Sequence, residues 1–191
     1  ASDVYKRQGK GKSISHGVAA LEYDLAKEIN GQAVATEIAR HELYGCTGAE
    51  MVQEMKPYHI DFPNVKNNCL RFEVSPSIEE SATFTDADWA ELGNDFMQRM
   101  GLANHQYIII RHSGTESKKE QAHLHILANR VSLSGELYRD NWIGKKATEA
   151  ANAIAKERNF VQSQDIGKVN KAEIKEAMDG VLKKMQGFDF T

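Results

Sequence analysis

The stretch Gln106-Tyr-Ile-Ile-Ile-Arg-His112, followed by a polar loop from Ser113 to Gln121 and then by Ala122-His-Leu-His-Ile-Leu-Ala-Asn-Arg-Val131, decides the fold of this chain. Its first part is β-branched and aromatic and too short for a helix, so it reads as a strand, and as one central in its sheet. After the loop, Ala122 to Val131 resumes as a second strand that runs toward a turn near Ser134 and Gly135. The two strands form a long-looped hairpin or lie as near neighbours. Alternate residues of a strand point to one face, which puts His123 and His125 side by side with Cα atoms about 6 to 7 Å apart. His112 closes the preceding strand, so adjacent strands bring three imidazoles together as a facial set of metal ligands with open positions for substrate. Asn129 and Arg130, polar residues in a run otherwise carried by Leu124, Ile126 and Ala128, add to the impression of a functional strand.

Working outward, Gly17 to Ile29 places Val18, Leu21, Leu25 and Ile29 on one helical stripe. Thr47 to Glu50 is a capping box that opens a short helix ending before Pro57. Leu70, Phe72 and Val74 alternate with Arg71 and Glu73 as a strand closed by Pro76. Thr85 caps a helix that lines up Trp89, Leu92, Phe96 and Met100 and ends at Gly101. Two further helices are expected over Lys146 to Arg158 and Asn170 to Gln186. This mixed order predicts an α+β fold, an antiparallel central sheet with helices on its faces, rather than a doubly wound one. No GxGxxG or P-loop spacing competes.

The 191 residues allow one domain, or one domain with a helical extension. A hydrophobic fraction of 41%, a charged fraction of 27% and only three prolines exclude disordered and fibrous classes. No apolar run approaches membrane length, no secretory leader opens the chain, and Cys46 and Cys69 form no CxxC pair and read as reduced bystanders. Together these give a cytoplasmic expectation without membrane insertion. The net charge of −3 excludes coating of nucleic acid by bulk electrostatics. Any such binding falls to local patches: Lys6, Arg7, Lys10 and Lys12; Lys118 and Lys119; or Lys145 and Lys146.

Three neutral imidazoles leave a metal's positive field intact for an anionic ligand, which points to a phosphoester. Imidazole ligation favours manganese, nickel, copper or zinc over magnesium, without choosing among them. A nucleophile is then needed. Tyr23 lies about 140° from the apolar stripe of the first helix, taking about 100° per residue, and is therefore no core tyrosine. A phenol, with an ordinary pKa of about 10, needs a metal or a base to attack at neutral pH.

Three blocks now carry a resemblance. GKGKSISHGVAALEYDLAKE over Gly9 to Glu28, LRFEVSPS over Leu70 to Ser77 with the Thr85 helix, and Tyr107 to Val131 with its H-loop-HxH and NRV tail resemble, in order and spacing, the conjugative relaxases of the HUH endonuclease superfamily, of the MobA-like, MOBP type. The resemblance implies an HUH-type two-layer or three-layer sandwich with the histidines on the sheet and a tyrosine helix above them. It matches Tyr23 to the DNA-cleaving nucleophile, His112, His123 and His125 to the metal ligands, and Glu73 to an acidic position near such sites. It further implies a divalent metal cofactor, with magnesium and manganese the leading candidates. The implied activity is a nick in single-stranded DNA at a transfer origin through a 5′-phosphotyrosyl intermediate, with mobilisation accessory and coupling proteins as partners. Lys118 and Lys119, in the loop between the ligand strands, are the DNA-binding candidates.

The nuclease domain is expected over 9–160 and a C-terminal helical extension over 161–191, with 1–8 a non-native leader and the whole a fragment or nuclease core. The opening ASDVYKRQ lacks the family's methionine and first strand, and the 112-to-123 loop is longer than the family's. Two rival readings stand beside this one: a cupin-like metalloenzyme acting on a small molecule, and a non-catalytic DNA-binding mobilisation accessory protein.

Overall fold

The structure is a computed structural model and describes residues 9–113 and 121–158, together with 175, 176 and 178. The expected helix over Asn170 to Gln186, and Lys118 with Lys119, fall outside the described residues apart from those three positions. The elements are β1 (Gly9–Ile14), α1 (Gly17–Leu25), β2 (Glu28–Ile29), β3 (Gln32–Ala33), β4 (Ala35–His41), α2 (Gly48–Met55), β5 (Cys69–Val74), α3 (Ile78–Ser81), α4 (Asp86–Arg99), β6 (His105–His112), β7 (His123–Ser132) and α5 (Ile143–Glu157). Five strands form one antiparallel sheet in the order β1-β5-β7-β6-β4. The fold is therefore α+β, as the strand and helix pattern predicts. β6 is an interior strand, although β7 takes the middle of the sheet.

Strand alternation separates two cores. Phe72, Ile109, Leu124, Ile126 and Ala128 face α4 and α5, burying Trp89, Leu92, Phe96, Ala147 and Ile154. Ile14, Cys69, Ile108, Ile110 and Leu127 face α1 and α2, with Leu21, Met51 and Met55. Helices on both faces make three layers. His112 shares the face of Ile108 and Ile110, and His123 and His125 that of Leu127, so all three imidazoles lie on the α1 side. Arg71 and Glu73 of β5 share this face by the same alternation from Cys69.

Local signals read from sequence recur at the ends of the helices. Thr47 and Thr85 each complete a capping box, and Gly101 ends α4 with φ of 74°, a conformation that costs a side-chain-bearing residue more.

Two expectations are corrected. A strand the sequence reading did not assign opens the described chain: the edge strand β1, inside the first block, pairs with β5 from Gly9↔Val74 to Ile14↔Cys69. Gly9 and Gly11 let α5 come close, since a Cβ on Gly9 would collide with the Ala147 carbonyl oxygen. The stripe assigned to the first helix is also displaced. α1 ends at Leu25, Ile29 belongs to a small hairpin, and Val18 is 40% exposed, whereas Gly17, Ala20, Leu21 and Asp24 are buried. Gly17 sits against Cys69, where a Cβ would meet the sulfur at 2.6 Å, and this close approach sets which side of the helix faces inward.

Candidate metal centre and nucleophile helix

β6 and β7 are adjacent and antiparallel, and their register pairs His112 with His123. That pairing and the two-residue repeat of β7 gather His112, His123 and His125, with one ring nitrogen of each within 4.8 Å of the others. The ring centroids lie 4.4 Å apart for His112 and His125, 4.9 Å for His123 and His125, and 5.5 Å for His112 and His123. All three side chains are buried.

Two rings have their tautomers fixed by backbone carbonyls, which can only accept. His112 Nε2 donates to the Asp24 carbonyl at 2.7 Å, leaving the lone pair on Nδ1. His123 Nδ1 donates to the Gln121 carbonyl at 3.1 Å, leaving the lone pair on Nε2. Outer carbonyl acceptors of this kind are what metal-ligating histidines usually have, so the donor set fits a divalent ion.

Burial disfavours the charged form of His112 and His125. His112 is pushed down from the ordinary imidazole value by burial. His125 is pushed down to about 2, first by burial and then by His112, His123 and Arg71. His105, outside the site, is also lowered by burial. A histidine with a folded pKa below its unfolded value of about 6.5 favours the fold fully above that value and loses the benefit as pH falls through it. The metal-free protein is therefore expected to lose up to about 1.4 kcal/mol per pH unit below 6.5 for each imidazole that stays neutral in the fold. Urea midpoints at pH 7.0 and 5.5 check this, and equal midpoints would contradict it.

Tyr23 stands on α1, 57% exposed. Its hydroxyl accepts a hydrogen bond from Lys27 Nζ at 2.7 Å. Lys27 escaped the sequence reading, although its i,i+4 spacing from Tyr23 is a usable signal. The next residue, Asp24, is 1% exposed and was also missed. Its carboxylate accepts from Arg71 Nε at 3.1 Å and from Arg71 Nη2 at 2.6 Å.

Glu73 pairs in register with His125, but its carboxylate bonds Lys10 Nζ at 3.1 Å and Ser75 Oγ at 3.3 Å, and it is not a member of the three-histidine cluster. Asn129 and Arg130 serve the fold instead. Asn129 Oδ1 meets His59 Nε2 at 2.7 Å and its Nδ2 donates to Gln106, while Arg130 pairs with Asp140 at 2.7 Å. Cys46 and Cys69 are free thiols, and burial pushes Cys69 up to about 12.

Beside His125 a cleft of about 400 Å³ crosses β5 and β1, lined by Lys10, Lys12, Arg71 and Glu73. Lys10 is half-buried and Lys12 exposed.

An antiparallel sheet that holds a buried set of three imidazoles under a helix with an exposed tyrosine defines a class of α+β protein with a candidate metal centre. The model of the relaxase family, MobA/VirD2-like, nuclease domain, matches residues 23–160 of the 191. The chain belongs to that family. The match begins at Tyr23, so β1 and most of α1 precede the matched span. No curated protein matches the chain. Among the described residues no helix is long and apolar enough to cross a membrane.

Proposed function

We propose that the protein is a metal-dependent DNA relaxase in which Tyr23 attacks one phosphodiester of single-stranded DNA at a transfer origin. A bond forms between the tyrosine oxygen and phosphorus while the bond to the 3′ oxygen breaks. The phenol gives up its proton and the leaving oxygen takes one up, so the products are a 5′-phosphotyrosine and a 3′-hydroxyl. The number of phosphoester bonds is unchanged, which keeps the strand ready to be rejoined.

One observation carries this reading: the tyrosine helix rests on the imidazole cluster, with the carbonyl of the residue after Tyr23 accepting from His112 at 2.7 Å. A divalent ion held by His112, His123 and His125 supplies positive charge for the non-bridging oxygens of the phosphate. The nitrogen donors suit manganese better than magnesium. Lys27 places an ammonium where negative charge on the tyrosine oxygen develops. Glu73 holds Lys10 at the cleft wall, which suits an electrostatic role in DNA binding better than a proton-transfer role.

A cupin-like reading loses its footing, because among the described residues the main sheet is an open five-stranded one with helices on both faces, not a many-stranded barrel. The test is incubation of the full chain with manganese and single-stranded oligonucleotides spanning candidate transfer origins. A covalent protein–DNA adduct is expected. Tight DNA binding with no adduct at any metal concentration would instead favour the accessory-protein reading. Mobilisation accessory and coupling proteins belong to the same proposal as partners, and the nuclease domain is placed at 9–160.

The cleft beside His125 gives the strand a path over β5 and β1. Each single-strand phosphate contact contributes about −0.7 to the slope of log affinity against log salt. Lys12→Gln is expected to make the slope shallower by about 0.7, and Lys10→Gln by less, because Lys10 is already held by Glu73 at 3.1 Å. Fluorescence anisotropy over a salt series reads the slopes, and an unchanged slope for Lys12→Gln would move the DNA off this path.

A further inference from the structure

Asp24 is buried more completely than its ion-pair partner Arg71. It is 1% exposed on a helix that also carries an exposed tyrosine one residue earlier. A carboxylate is taken out of water at this cost only where it is paired and hydrogen-bonded. Arg71 provides that pairing through two hydrogen bonds, yet the same guanidinium also reaches into the imidazole cluster. Arg71 Nη2 lies 3.2 Å from His125 Nδ1. Asp24 Oδ1 lies 3.8 Å from that same nitrogen.

The chemistry of His125 makes the carboxylate matter. A guanidinium donates and cannot accept, so its contact requires the lone pair on Nδ1 and the proton on Nε2. A neutral imidazole that uses Nε2 as a metal ligand carries its proton on Nδ1 and needs an acceptor there. Arg71 cannot be that acceptor. Asp24 Oδ1 is the acceptor at hand. The backbone of the same residue already fixes His112, through the 2.7 Å bond from Nε2 to its carbonyl. One residue thus addresses two of the three imidazoles and adjoins the nucleophile.

We propose that Asp24 is a positioning residue that sets His125 in its metal-binding tautomer through its carboxylate and His112 through its carbonyl, and so fixes the Tyr23 helix over the metal centre. Arg71 is its counter-charge, held between the carboxylate and the cluster. In the metal-binding tautomer, Arg71 gives up the His125 contact and keeps Asp24. This inference rests on the three-imidazole metal site of the proposed function.

The test is calorimetric titration of the full chain with manganese, for the wild type, Arg71→Met, Asp24→Asn, Asp24→Leu and the double variant Asp24→Leu/Arg71→Met. The double variant removes both charges, so it leaves no orphaned ion in the fold if Asp24→Leu alone fails to fold. Outer-shell partners of metal-bound histidines are typically worth about 10-fold to 100-fold in affinity. The double variant is expected to bind manganese more weakly than Arg71→Met by that factor, while Asp24→Asn, which keeps an acceptor oxygen, stays within a few-fold of wild type. At saturating manganese, Asp24→Leu/Arg71→Met is expected to slow adduct formation more than tenfold relative to Arg71→Met at equal oligonucleotide affinity, a split that mere loss of stability would not give.

Manganese affinity of the double variant less than tenfold below that of Arg71→Met would overturn the role of Asp24 and leave the relaxase reading standing. A wild type that binds no manganese would overturn the metal site and this inference with it. A wild type that binds manganese with the expected ranking, yet forms no adduct, would support the role of Asp24 at the metal and overturn the relaxase reading alone.

Discussion

Changing Tyr23 to phenylalanine is expected to abolish the covalent protein–DNA adduct while leaving DNA affinity and folding nearly as they are. The substitution removes one oxygen from a side chain that is 57% exposed. Its hydroxyl accepts an exposed hydrogen bond from Lys27. Exposed contacts of that kind are worth at most about 1 kcal/mol, so the stability change should stay within about 1 kcal/mol. In the proposed chemistry, in contrast, that oxygen forms the bond to phosphorus each time an adduct is made. Gel electrophoresis after denaturation reads the adduct, and peptide mapping of the wild-type species reads its position.

The competing tyrosines differ in their electrostatics. Tyr44 is 76% exposed, but its hydroxyl donates to Glu42 at 3.0 Å, and that carboxylate raises its pKa. A neighbouring anion opposes formation of the phenolate, whereas Tyr23 has an ammonium at its oxygen. An adduct that persists in Tyr23→Phe and maps to Tyr44 or Tyr58 would remove α1 from the chemistry.

The difference between what sequence reveals and what it hides is physical. The two-residue repeat of a strand and the H-loop-HxH spacing are local, so the grouping of His112, His123 and His125 could be read before any tertiary contact was known. Capping at Thr47 and Thr85 is equally local. The strand Gly9–Ile14 was obscured because its apolar face is made of glycines. Gly9 and Gly11 replace the usual β-branched residues so that α5 can approach, and the pattern GKGKSI then carries little hydrophobic alternation.

Asp24 was hidden for a different reason. Hydrophobic periodicity assigns a carboxylate to the solvent side of a helix, and here the partner that permits its burial is Arg71, 47 residues away on β5. Only the register of the sheet brings that arginine under α1. Glu73 is similar in part, since strand alternation gives its face but its place beside His125 follows from the β5–β7 register, and its bond to Lys10 depends on β1 being the neighbouring strand. The face of α1 was misread because small residues decide it: Gly17 and Ala20 are buried and Val18 is not.

Alanine at His123 or His125 is expected to weaken manganese affinity by more than about 100-fold, since removal of a mere outer-shell partner already costs about 10-fold to 100-fold. Two imidazoles remain in each variant, too few to hold the ion firmly. DNA binding should survive better than adduct formation, because the cations of the cleft, Lys10 and Lys12, are untouched.

The two variants are not equivalent. His123→Ala leaves the Asp24, Arg71 and His125 contacts in place and reports on the ligand alone. His125→Ala also removes the ring that faces Arg71 Nη2, so the guanidinium keeps only its Asp24 pairing of these two contacts, and it deletes the group pushed down to about 2 by burial. Acid should then be less damaging to His125→Ala. The unfolded wild type takes up a proton on His125 below pH 6.5 that the folded state refuses, and the variant has no such proton to take up. Its urea midpoint is expected to fall less than that of the wild type between pH 7.0 and 5.5. Calorimetry measures the affinities and urea titration the midpoints. Unchanged manganese affinity in both variants would remove the three-imidazole site, whereas an unchanged acid response in His125→Ala would mean that this ring is not held neutral in the fold.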